Sequence, residues 1–79
     1  MTYELWDSDS GNAIAGFASE AEALAVVRAE IQAAGDEAVS EWFLRKVDRR
    51  GRSRVVAEGD DLARFALGMS APRATAERP

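Results

Sequence analysis

Apolar residues recur along this chain with two different periods, and the changes of period divide it into strands and helices. Thr2 to Trp6 (TYELW) alternates and is rich in aromatic side chains. That predicts a strand with Tyr3, Leu5 and Trp6 as its apolar content. Asp7 to Asn12 (DSDSGN) is dense in short polar side chains that bond nearby backbone, and it holds a glycine that tolerates positive φ. It predicts a turn. Ala13 to Phe17 returns as a second strand, carried by Ile14 and Phe17. The period then lengthens. From Ser19 to Gly35, Leu24, Val27, Ile31 and Ala34 fall three, four and three residues apart, which makes one stripe on an alanine-rich helix. Ser19 is the expected N-cap, and Glu22 completes a capping box. Glu20 and Glu22 place negative charge at the positive end of the helix dipole, and Gly35 supplies the C-terminal stop. The stripe reads as a core face.

The second half repeats the plan. Asp36 to Ala38 predicts a short exposed link. Val39 to Val47 (VSEWFLRKV) admits two readings. Its bulky and aromatic residues favour a strand, whereas Val39, Phe43 and Val47 could form a helical stripe capped by Asp36. The strand is preferred because Asp48 to Arg52 has hairpin-turn chemistry and Ser53 to Ala57 (SRVVA) supplies a return strand. Trp42, Phe43, Leu44, Val55 and Val56 are then its apolar content. Glu58 to Asp60 breaks the pattern, with Asp60 as the expected N-cap. Leu62, Phe65, Ala66 and Met69 make a short helix ending near Gly68. Ser70 to Pro79 has two prolines and no large apolar side chain, which predicts a disordered tail.

The order β-β-α-β-β-α predicts an α+β fold: a small antiparallel sheet with one long and one short helix packed on one face. A single domain is expected over residues 1–69, followed by the tail at 70–79. A chain of 79 residues buries only about 60% of its unfolded surface. Its stability is expected to be modest or helped by self-association.

Composition narrows the chemistry. The chain has no cysteine and no histidine. That removes disulfides, thiolate metal sites, the commonest general base and the commonest nitrogen ligand. The serines have no histidine to activate them. Gly11 and Gly16 lack the spacing and the lysine of a phosphate-binding loop. In the loop beginning at Asp7, glycine stands fifth and Ala18 twelfth, which is not calcium-loop spacing. Glu58, Asp60 and Asp61 read as the acidic start of a helix. No catalytic, metal or cofactor-binding residue is assigned, and neither a cofactor nor a small-molecule substrate is expected. The chain lacks an apolar leader and a membrane-length apolar run, so a soluble, cytoplasmic protein with no membrane partner is expected.

Charge is strongly segregated. Residues 45–54 (RKVDRRGRSR) hold Arg45, Lys46, Arg49, Arg50, Arg52 and Arg54 against Asp48 alone. The window is +5 in a chain of net charge −4, which leaves −9 elsewhere. Three readings stand. The cations could solvate a hairpin tip and protect its edge. They could meet an acidic face of a protein partner or of a second copy. They could follow a phosphate backbone, with Trp42 or Phe43 stacking on bases. The flanking acidity of Glu37, Glu41 and Glu58 to Asp61 puts nucleic acid behind protein.

The opening Tyr3 to Val27, YELWDSDSGNAIAGFASEAEALAVV, resembles the start of small bacterial proteins with a YELWD…SGN…F.(S/T).EEAL pattern. The likeness extends through the second hairpin to Ala57-Glu58-Gly59. It implies a shared domain and carries no activity or site residue with it. The expected function is a non-catalytic protein-interaction or regulatory module, with a homodimer as one form of that recognition. The alternative is a nucleic-acid-binding module that uses the basic hairpin.

Overall fold

Asp7 closes the first hairpin with its own side chain. Its Oδ1 accepts from the Asp9 N–H at 3.0 Å and its Oδ2 from the Ser10 hydroxyl at 3.3 Å. The Gly11 N–H returns to the Asp7 carbonyl at 2.8 Å, with Gly11 at φ +73°. In the computed structural model of the protein, which describes residues 1–68, this turn joins β1 (Thr2–Asp7) to β2 (Asn12–Phe17). Met69 of the expected second helix and the expected tail lie outside the described residues.

The long helix α1 spans Glu20–Ala34, between the two predicted caps. The Ser19 hydroxyl accepts from the Glu22 N–H at 3.2 Å. Glu22 reaches back one residue further than a capping box requires, to the Ala18 N–H at 3.3 Å. Gly35, at φ +90°, donates its N–H to the Ile31 carbonyl at 2.7 Å. Val27 is fully buried, and Leu24 and Ile31 pack against the core as expected. Ala23 is buried and Ala34 is exposed, so the buried stripe sits nearer the N-terminus than the sequence suggested.

The next segment differs from expectation. Asp36–Val39 is a 3-10 turn rather than a plain link, and Val39 belongs to that turn instead of to a strand. Val39 is fully buried. The tight turn lets it drop beneath both helices before β3 (Trp42–Val47) begins. β3 turns at Asp48 into β4 (Ser53–Glu58), so the strand reading of this region holds. The short helix α2 spans Gly59–Ala66 and follows β4 without a loop. Its N-cap position is Glu58, with no side-chain capping bond, and Asp60 sits inside the first turn. Asp60 is displaced from the cap because Gly59, at φ +57°, makes the change of direction one residue earlier.

The four strands form one antiparallel sheet in the order β2-β1-β3-β4. With the two helices it is the expected α+β fold. Leu5 and Leu44 lie opposite each other on the central strands, and both are fully buried. Ala57 joins them from β4, and Ala23, Val27, Leu62, Ala63 and Ala66 cover them from the helices. Burying each leucine is worth about 1.5–3 kcal/mol. The largest fully buried side chains are Leu5, Leu44, Leu62, Val27 and Val39, with no aromatic among them.

Candidate recognition surface

Strand side chains alternate between faces, so the sheet sorts its residues by parity. On β1, Tyr3 and Leu5 turn toward the helices, and Thr2, Glu4 and Trp6 turn away. On β3, Trp42 and Leu44 turn toward the helices, and Phe43, Arg45 and Val47 turn away. The register sets Glu4 opposite Arg45 and Trp6 opposite Phe43. No described helix covers this second face. Its centre is therefore two aromatic rings and one ion pair on the two inner strands.

These four side chains bind one another. The Trp6 and Phe43 rings stack with centroids 6.4 Å apart and planes 13° from parallel. The Arg45 guanidinium carbon lies 4.8 Å from the Trp6 ring centroid. Glu4 Oε1 accepts from the Trp6 indole N–H at 2.9 Å, from Arg45 Nε at 3.1 Å and from Arg45 Nη2 at 2.5 Å. The Trp6 hydrogen bond, and after it the Arg45 hydrogen bond, hold the Glu4 carboxyl below the usual glutamate range against the opposing effect of burial. The pair is one-third exposed, 33% for Glu4 and 31% for Arg45.

Two β-bulges extend the apolar rim. Register shifts between Leu44 and Arg45 on the β3–β4 ladder, so Val55 faces Arg45 while Val56 packs against the core. Val55 is left 48% exposed. A second shift, at the Leu5–Trp6 step, makes Ile14 the extra residue of β2, 39% exposed.

The six cations singled out in the sequence do not share one surface. Arg45 lies on the bare face and is committed to Glu4 and Trp6. Lys46 pairs in register with Tyr3 on one side and Arg54 on the other, so it belongs to the opposite face. Arg49 and Arg50 are exposed in the turn. Asp48, the lone anion of the window, builds that turn: its Oδ1 accepts from the backbone N–H of Arg50 at 2.8 Å and of Arg52 at 3.0 Å. Lys46, Arg52 and Arg54, with Met1, Asp48 and Ser53, line an open hollow of about 430 Å³ at the hairpin end of the sheet.

In the sequence, Trp42, Phe43 and Leu44 read as one apolar group. Parity separates Phe43 from the other two, and that was the available signal. The position of Val55 had no such signal, because the bulge that aims it outward is a property of the ladder. Chemically, the bare face offers a flat apolar centre with one donor-acceptor pair. The described residues contain no group of three His, Cys, Asp or Glu side chains placed to hold a metal ion. No described helix is long and apolar enough to cross a membrane. Comparison with protein-family models, with curated proteins and with solved structures finds no match.

Proposed function

We propose that this chain is a non-catalytic protein-recognition module and that the bare face of its sheet is the recognition surface. The stacked, cross-bonded Trp6–Phe43–Arg45–Glu4 group carries the reading. Large aromatic side chains and arginine dominate protein interfaces because they bury much area for little lost freedom. Here their rotamers are already constrained by one another, which lowers the entropy cost of docking. The compartment proposed is the cytoplasm, and the cysteine-free sequence is consistent with it.

The test is retention, by the immobilised chain, of cell-extract proteins and of added soluble copies of the chain itself. It compares wild type, the face variant Val55→Lys and the tip variant Arg49→Glu/Arg50→Glu/Arg52→Glu. The expected result is that Val55→Lys loses what wild type retains and the tip variant keeps it. Retention unchanged in Val55→Lys rejects the face as the recognition surface.

A second reading has its own observation. Lys46, Arg52 and Arg54 converge on the open hollow, and among the described residues only Arg52 of the three lies near an anionic partner, 3.8 Å from Asp48. A nucleic-acid backbone at that end would be held by charge. The reading requires binding of labelled DNA or RNA that weakens steeply with salt and is lost in the tip variant. Anisotropy that stays flat at low salt rejects it.

A further inference from the structure

We propose that the occupant of the bare face is the same face of a second copy, packed sheet on sheet about a two-fold axis. This rests on the reading of that face as a protein-recognition surface and names its partner. Two observations lead there, and a third limits its strength.

The first is the bonding pattern. Among the described residues, all three hydrogen bonds to Glu4 end on Oε1, and Arg45 bonds through Nε and Nη2. Glu4 Oε2 and Arg45 Nη1 have no hydrogen-bond partner among the described residues. A two-fold interface is self-complementary: what one copy offers, the other must accept. A face that presents one free acceptor beside one free donor meets that condition with itself. Arg45 Nη1 of one copy can donate to Glu4 Oε2 of the other, and the same bond forms again across the axis.

The second is charge. Arg45 and Glu4 cancel at the centre of the face, and Glu58, in register with Phe43, adds an anion near the β4 end. Arg45 is the single cation on the bare face of the four described strands. A polyanion would meet a neutralised arginine and a carboxylate there. A copy of the chain would meet matched charges at the centre and apolar Trp6, Phe43 and Val55 around them, with Glu58 of each copy kept at the solvated β4 edge.

The third is area. Four strands about 4.8 Å apart and six residues long at about 3.3 Å each give a flat footprint of about 400 Å². That is roughly half of the 800 Å² per partner in a standard stable interface. The dimer is therefore weak and reversible, with Kd in the micromolar range or above. Sheets packed this way sit about 10 Å apart with their side chains interleaved.

Sedimentation velocity of the full chain from about 10 µM to about 1 mM tests this, because the range brackets such a Kd. Wild type is expected to shift from monomer toward dimer, and Val55→Lys to stay monomeric. Val55 is half exposed and outside the core, so that change leaves folding intact, which circular dichroism checks. Two further variants read the cross-axis bonds. Arg45→Glu and Glu4→Arg are each expected to remain monomeric, and their equimolar mixture to recover a dimer. Wild type that is monomeric throughout overturns the proposal, and so does a dimer unaffected by Val55→Lys. A monomeric wild type that still loses extract proteins on Val55→Lys rejects the second copy alone and leaves the recognition reading standing.

Discussion

Three hydrogen bonds converge on one oxygen of Glu4, so this residue has the most to lose when it is protonated. Its carboxyl titrates below the usual 4.5 in the folded chain because Trp6 and Arg45 stabilise the anion. In acid the unfolded chain therefore takes up a proton before the folded one does. The stability that Glu4 supplies is fully present above the unfolded value and is lost as pH falls through the lowered folded value. Urea unfolding between pH 6 and about pH 2.5 should show this loss, and Glu4→Gln should make that limb shallower. At neutral pH the variant should cost no more than about 1 kcal/mol, since a pair one-third exposed is well screened. An acid limb identical in wild type and Glu4→Gln would mean that the cluster does not hold the carboxylate in solution.

Between β4 and α2 there is no connecting loop, and the chain reverses at Gly59. Its φ of +57° suits glycine, and an added Cβ would stand 3.4 Å from the Ser40 carbonyl oxygen. Gly59→Ala should destabilise the fold by about 1–2 kcal/mol, read as a lower urea midpoint at unchanged slope. An unchanged midpoint would show that α2 docks without this turn. The same junction marks the limit of what could be read beforehand. The residues at the start of α2 read as a helix start, with the cap expected at Asp60, two residues beyond Glu58 where the structure has it. Gly59 turns the chain ahead of Asp60, and Glu58 holds the cap position with no side-chain bond. Val39 departs from its expected strand for a related reason: a bulky β-branched residue favours strand locally, while burial beneath two helices decides its place. The hairpins and α1 were legible because their signals are local: Asp7 and Asp48 fold their own turns, and Ser19 caps its own helix. The site was legible only in part. Six cations adjacent in sequence suggested one surface, and strand parity divided them between two faces and a turn.

Among the described residues the molecule is a sheet with one covered face. Its helices bury leucine, valine and alanine, and its aromatic rings are left outside the fully buried core. Both inner strands contribute to the bare side, so any ligand of that face reads β1 and β3 together. The direct measurement of this account is a dilution series by amide NMR, which reports each residue separately. From about 1 mM down to about 20 µM, bracketing a weak dimer, the account predicts shifts of the Trp6 indole N–H and of the Glu4, Phe43, Arg45 and Val55 amides. The Trp42 indole, on the helix side, and the Arg49 and Arg50 amides should stay in place. A spectrum that does not change with concentration, or changes centred on residues 49–52, would contradict it.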